Sequence, residues 1–237
     1  MTWYQEWFGE EYLDLYSHRD EEEARSHIEF FRKQVGSVDG MVLDLACGSG
    51  RHLMELESAG YSAVGFDLSA TLLAEASRRA GNLRLVRADM RFLPFDDRQF
   101  AALVNFFTSF GYFDTEEENL QVVGEMARVM ANGAPFLFDY LNVAREQNRL
   151  VDHEIREADG RRIEIDRWFN ESTRVFNKRI RIDGRSYLER VRGYDLDEIT
   201  MMFSSAGFSI RSVLGDFDGQ PFSPSSPRLI LVGKRTR

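Results

Sequence analysis

The 237-residue chain contains a single cysteine, Cys47, so an intrachain disulfide is excluded. Its four histidines (His18, His27, His52, His153) are scattered without metal-ligand spacing, and no structural metal site is expected. No stretch approaches the roughly eighteen uncharged apolar residues of a membrane span. An excess of positive charge is missing too. Lys and Arg number 30 against 39 Asp and Glu, for a formal net charge of −9, which argues against a broad basic face for nucleic acid or anionic lipid. The N-terminal stretch MTWYQEWFGEEYLDLYSHRDEEE carries acids where a signal peptide needs bases, so a cytoplasmic protein is expected.

What is present is enough apolar material, 43% of residues, to bury the core of one large domain with an elaboration. Ala24, Ile28, Phe31 and Val35 recur at helical spacing, giving a helix with one apolar face behind an aromatic N-terminus. From residue 41 the pattern alternates. Strands at about 41–46, 62–66, 83–87, 101–107 and 134–140 are separated by segments of helical period, such as Leu120, Val123, Ala127 and Met130. Continuous apolar runs such as VLDLA and AALVNFF fit strands buried on both faces of a parallel sheet covered by helices. Thr115 with Glu118, and Asp195 with Glu198, read as capping boxes, Tyr194 and Ile199 as a hydrophobic staple, and Gly207 as a helix stop.

Residues 151–193 break this rhythm. Two Asp-Gly turns lie between alternating segments, with Phe176, Ile180 and Ile182 on one parity, so antiparallel strands are inserted there. Two more strands follow at about 208–214 and 228–234, around the proline-containing loop GDFDGQPFSPSSP. The insert is locally basic and two-sided: a solvated face, a contact for an acidic substrate, or a homodimer interface.

The stretch VLDLACGSGRHLMELESAGYSAVGFDLS joins a strand, a glycine turn, a helix and a second strand ending in Asp67. A glycine turn at a helix N-terminus lets a ligand approach backbone N–H groups, and an acid about twenty residues on can accept both hydroxyls of a ribose. Asp89 and Met90 in RADM follow the third strand beside the same cleft. Asp44 lies within the first apolar strand, where an acid is costly without a partner such as a cationic ligand group. A dinucleotide fold uses G-x-G-x-x-G, whereas Gly48 and Gly50 are followed by Leu53, which disfavours a pyrophosphate.

Taken in order and spacing, DLACGSG, GFDLS, RADM and AALVNFF resemble the Rossmann-like class I S-adenosylmethionine-dependent methyltransferases, strongly over residues 36–140 and by topology over 194–237. The resemblance implies an α/β fold with a mostly parallel seven-stranded sheet, helices on both faces, an N-terminal helical lid (1–35), a methyltransferase domain (36–150 and 194–237) and a small antiparallel β insert (151–193) after strand 5. The family signature, acid-x-Gly-x-Gly-x-Gly, falls on Asp44, Ala46, Gly48 and Gly50, with alanine replacing the first glycine. By position, the resemblance places Ala46, Gly48 and Gly50 against the methionine and ribose portions, Asp44 near the amino group, Asp67 on the ribose hydroxyls and Leu68 on the adenine. Asp89 accepts from the adenine amino group, Met90 contacts the ring, and Asn105 faces the methionine portion.

The chain also looks like a small-molecule subset of that family. Tyr12, Tyr16, His18 and Arg19 are polar candidates in the lid, Arg19 for the methionine carboxylate and Tyr16 for that group or an acceptor. Tyr16, His52 and Tyr140 are the candidate catalytic residues. Phe106, Phe107, Phe110, Tyr112 and Phe113 can offer aromatic faces to a sulfonium, and Cys47 is a small packed residue. The implied activity is methyl transfer to N or O of a small-molecule acceptor, leaving S-adenosylhomocysteine. Alternatives are an RNA or protein methyltransferase, a noncatalytic S-adenosylmethionine-binding protein, and a nicotinamide-dependent oxidoreductase. Net acidity weighs against a nucleic-acid partner, and the NFF end of the fourth strand lacks the Asn/Asp-Pro-Pro-aromatic motif of many amino-methylating nucleic-acid enzymes.

Overall fold

The computed structural model describes residues 2–16, 21–158 and 160–236. Two short helices, α1 (Trp3–Trp7) and α2 (Glu10–Leu15), precede α3 (Glu21–Val35), which buries Ala24, Ile28 and Phe31 as its spacing requires. The apolar runs then form β1 (Met41–Leu45), β2 (Ser62–Asp67), β3 (Leu85–Arg87), β4 (Ala102–Asn105) and β5 (Pro135–Leu141). Helices α4 (Arg51–Ser58), α5 (Ala70–Arg79) and α6 (Glu116–Val129) connect them, and the short α7 (Val143–Asn148) follows β5. The fourth strand ends at Asn105, short of the expected 107, because Phe107 and Thr108 leave extended geometry with φ 59° and 58°.

The remaining strands close the scheme. A four-stranded antiparallel sheet holds β6 (His153–Ala158), β7 (Arg161–Asn170), β8 (Val175–Ile182) and β9 (Arg185–Arg192) in sequence order. Then come α8 (Leu196–Ser205), β10 (Phe208–Leu214) and β11 (Arg228–Arg235). The main sheet has seven strands in the order β10-β11-β5-β4-β1-β2-β3, with β11 antiparallel to both neighbours and the others parallel. Strand order reverses between β1 and β4, and in such sheets a crevice opens beyond the carboxyl ends of the strands at that point.

Both capping boxes form, at Thr115 with Glu118 and at Asp195 with Glu198, and the staple residues Tyr194 and Ile199 are buried. Gly207 follows α8 at φ 89°. One stripe differs from expectation: α6 buries Asn119, Val122, Val123 and Met126, which turns Leu120 outward to 41% exposure. No helix of the described residues is long and apolar enough to cross a membrane.

The antiparallel sheet carries the N-terminal helices. Ile163, Ile165, Ile180 and Ile182 bury one of its faces around Trp7, with Tyr12, Tyr16 and Tyr187 packed against them. That apolar face is therefore covered from within the chain. The opposite parity presents cross-strand charges, including Arg181 against Glu164 and Asp166. Of the two Asp-Gly turns, Asp183 and Gly184 take φ 50° and 76°, as a tight hairpin needs; Asp159 of the other lies outside the described residues.

Candidate functional site

After β1 the chain enters a tight turn in which Ala46, Gly48 and Gly50 all have positive φ, 61°, 56° and 77°. The left-handed region is costly for alanine, so the turn stores strain that its hydrogen bonds must hold. The Cys47 N–H donates to the Phe66 carbonyl at 2.9 Å, and the Gly48 N–H donates to Asp67 Oδ2 at 2.9 Å. The other Asp67 oxygen accepts from the Ser69 N–H at 2.8 Å. Asp67 thus folds the turn as well as facing the crevice. Burial pushes its carboxyl up, opposed by these N–H donors.

A cavity of about 740 Å³ opens over this turn. Asp44, Ala46, Gly48, Asp67, Leu68, Asp89 and Met90 all line it, so most of the predicted cofactor residues converge on one space. Asp44 is almost fully buried, and its Oδ2 has no hydrogen-bond partner among the described residues. Burial first, and then the charge of Asp67, push its carboxyl up to about 7, against the pull of Arg51. An unpartnered buried carboxylate oxygen in a cavity wall is a socket for a cationic or hydrogen-bond-donating group, and the ammonium of S-adenosylmethionine fits it. Asp89 is paired with Arg91, whose Nη2 lies 2.6 Å from Oδ2; burial works upward on Asp89, but Arg91 holds it below the usual carboxylate range.

Aromatic rings build the far wall. Phe106, Phe107, Tyr112 and Phe113 line the cavity after β4, and Tyr4, Phe8, Tyr12 and Tyr16 line it from the N-terminal helices. That roof is tied down at two points: the Ser69 hydroxyl donates to the Phe8 carbonyl at 2.6 Å, and Trp3 Nε1 donates to the Tyr112 carbonyl at 3.3 Å. His52 also lines the cavity, stacked on Phe106 at 4.1 Å, with its Nε2 3.1 Å from Nδ1 of His27 on α3. Burial, reinforced by the charges of Arg51 and Arg228, lowers His27 to about 3 and keeps it neutral.

Several expectations are corrected by position. Gly50 is not in the cavity lining; a Cβ there would lie 2.9 Å from Ala76 Cβ, so this glycine permits α5 to pack. Asn105 is likewise outside the lining, because its Nδ2 donates to the Leu45 carbonyl at 2.7 Å and ties β4 to β1. Tyr140 is fully buried away from the cavity, donates its hydroxyl to the Arg192 carbonyl and has its phenol pushed up by burial, which removes it from the candidate bases. Phe110 packs instead on Phe138 and Tyr194 in the core. Arg19 and His18 lie outside the described residues. Burial raises the Cys47 thiol well above its ordinary value, as suits a packed residue.

Strand pairing brings together groups that sequence spacing keeps apart. His153, Glu164 and Asp166 offer ligand atoms within 4.8 Å of one another on the insert, but the Arg181 guanidinium contacts both carboxylates, at 3.2 and 2.8 Å. Sequence reasoning also missed Arg51, a buried cavity residue ion-paired with Glu23 at 2.6 Å and set 4.7 Å over the Phe107 ring. His27 had a signal, since it shares the buried face of Ala24, Ile28 and Phe31.

Residues 42–133 match the family model described as "Methyltransferase domain". The protein YqeM of Bacillus subtilis strain 168 is 24% identical over 97% of this chain and 96% of its own length. The dTDP-3-amino-3,4,6-trideoxy-alpha-D-glucopyranose N,N-dimethyltransferase of Streptomyces venezuelae is 31% identical over 52% of this chain and 59% of its own length. An S-adenosylmethionine-dependent methyltransferase from Clostridium acetobutylicum shares the fold at a TM-score of 0.81 and 18% identity, covering 95% of this chain and 96% of that one. These findings show a methyltransferase domain over residues 42–133 and, with the glycine turn and strand order already described, the fold of a solved S-adenosylmethionine-dependent methyltransferase around it.

Proposed function

We propose that this methyltransferase acts on a nitrogen or oxygen of a small-molecule acceptor, with an amine favoured. The observation that carries this reading is the roof: the cavity extends from the Asp44–Asp67 turn to aromatics of the N-terminal helices, and those helices are tied to the domain by the Ser69 hydroxyl at the Phe8 carbonyl and by Trp3 at the Tyr112 carbonyl. Such a partly roofed, concave space suits a compact acceptor better than a polymer. The net charge of −9 weighs against RNA, and the reading keeps the enzyme in the cytoplasm without a nucleic-acid partner. The amine preference draws on the Streptomyces venezuelae relative, named for dimethylation of an amino sugar.

S-Adenosylmethionine, when bound, supplies an electrophilic methyl group on a sulfonium. Asp44 would hold the amino group, Asp67 the ribose hydroxyls, Leu68 and Met90 the adenine ring, and Asp89 its amino group. Ala46 and Gly48 keep the turn free of side-chain bulk where the ligand approaches. The aromatic wall excludes water and faces positive charge. Orientation carries much of the rate, since in-line displacement needs the nucleophile near contact. An amine must only be unprotonated; His52, with its ring in the wall, is the candidate to take a proton from a hydroxyl or ammonium.

The test is a panel of amino sugars, nucleotide-linked amino sugars, small amines and phenols with methyl-labelled S-adenosylmethionine, run beside total RNA and protein extract. Label entering an amine supports the reading. Label entering only RNA or protein overturns it.

A further inference from the structure

Ser69 makes three bonds to three different parts of the molecule. Its N–H donates to Asp67 Oδ1 at 2.8 Å, its oxygen caps α5 by accepting the Leu72 N–H at 3.1 Å, and its hydroxyl donates to the Phe8 carbonyl at 2.6 Å. A serine hydroxyl has one hydrogen, so the bond to Phe8 commits it. Phe8 lies between α1 and α2, outside both helices. One residue therefore joins the acid of the glycine turn, the start of α5 and the joint of the roof, and Phe8, Gly9, Asp67, Leu68 and Ser69 all line the cavity.

A second anchorage of the roof lies elsewhere. Trp3 Nε1 donates to the Tyr112 carbonyl, the Arg192 N–H donates to the Gly111 carbonyl at 2.7 Å, and Arg190 pairs with Asp114 at 2.7 Å. The N-terminal helices and the insert thus both meet the core along residues 111–114. They are also joined to each other, by Glu11 with Arg185, by Asp14 with Arg161, and by Trp7 among the insert isoleucines. Residues 111–114 follow β4 and Ser69 follows β2, with β1 between, so the two anchorages belong to strands about 10 Å apart. A cover fixed broadly on one side and by a side-chain hydroxyl on the other is built to swing.

We propose that Ser69 is the latch of a hinged roof: the roof swings on its anchorage along residues 111–114, and the Ser69–Phe8 hydrogen bond sets how fast the cofactor enters and leaves over Asp67. This rests on the cofactor assignment. Covers of this kind move as units about a few residues, and a half-buried polar bond at an edge opens more readily than packed core. Because the same serine donates its N–H to Asp67, the latch closes beside the acid assigned to the ribose.

The experiment follows exchange of labelled S-adenosylhomocysteine, and backbone hydrogen exchange of the unliganded protein, in the unaltered chain, Ser69→Ala, Ser69→Gly and Ser69→Thr. Glycine is a competent N-cap without a hydroxyl, so it separates the latch from the start of α5, and threonine keeps both functions. Alanine and glycine should each speed association and dissociation together by about five- to tenfold and leave the affinity within about twofold, because the bond must break in either direction. Hydrogen exchange in α1 and α2 should quicken by a similar factor with residues 111–114 unchanged, and threonine should match the unaltered protein. Unchanged exchange in both loss variants, a loss of affinity carried by dissociation alone, or threonine behaving like alanine would overturn the proposal. If the unaltered protein binds no S-adenosylhomocysteine, the cofactor assignment fails and the latch falls with it, whereas binding with unchanged exchange sinks the latch alone.

Discussion

The carboxylate of Asp139, buried in β5, accepts the backbone N–H of Phe107 at 2.8 Å just beyond the end of β4. Its other oxygen takes Arg228 Nε at 2.6 Å, and Arg228 Nη2 donates to Thr108 Oγ1 at 2.8 Å. This network holds two consecutive non-glycine residues in left-handed geometry, and one of them, Phe107, is a cavity wall.

Asp139→Ala strands the Arg228 charge and releases the turn. Only the Asp139 side of the pair is fully buried, so its loss should cost roughly 1–3 kcal/mol in urea unfolding, and the affinity for S-adenosylhomocysteine should fall. A stability change below ~1 kcal/mol would mean that the network does not hold the turn.

The two glycines of the turn should separate folding from binding. Gly50→Ala places a methyl against Ala76 at φ 77° and should cost roughly 1–2 kcal/mol of stability with little effect on ligand affinity. At Gly48 the nearest obstacle to a Cβ is Leu72 Cδ1 at 3.8 Å, in a residue that faces the cavity. Gly48→Val should therefore weaken S-adenosylhomocysteine by about tenfold or more in protein that remains folded. Matched affinities in the two variants would show that the ligand does not pass over Gly48.

Asp67→Ala should fail on both counts. It loses the acceptors for the Gly48 and Ser69 N–H groups, worth roughly 1.5–3 kcal/mol each for bonds to a charged group, as well as the ribose contact. Urea unfolding and calorimetry on the same preparation check this; unchanged affinity would refute the ribose assignment.

Asp44 sets a pH dependence. With its carboxyl at about 7, the neutral acid must lose its proton to pair with an ammonium. Affinity for S-adenosylhomocysteine should fall by up to about tenfold per pH unit below that point and level off above it, and Asp44→Asn should flatten the profile. Stability of the unliganded fold runs the other way. The folded protein holds a proton that the unfolded chain releases, so this contribution is lost as pH rises from 3.8 toward about 7. A flat binding profile in the unaltered protein would exclude Asp44 as the ammonium partner.

Local rules made much of this fold readable in the sequence. The capping boxes at Thr115 and Asp195 depend on residues three apart, and strands such as β1 (Met41–Leu45) are marked by continuous apolar runs, so both were legible. The acids at 44, 67 and 89 were legible because each sits at a strand, or just after one, on the same edge of the sheet. What was not legible depends on side chains meeting across elements. Asn105 turns to the β1 carbonyl, Tyr140 turns to Arg192, and Gly50 faces α5; spacing along the chain gives the strand end or the turn, but not the direction of the side chain. The contacts of Lys178 with Tyr16, His27 with His52, and Arg228 with Asp139 span 162, 25 and 89 positions, beyond the reach of any local pattern.

The most direct test of the cofactor assignment is calorimetric titration of the purified protein, freed of copurified ligand, with S-adenosylmethionine, S-adenosylhomocysteine and NAD. Micromolar binding of the first two, with none of NAD, is the predicted result; binding of NAD, or of none of the three, would contradict it.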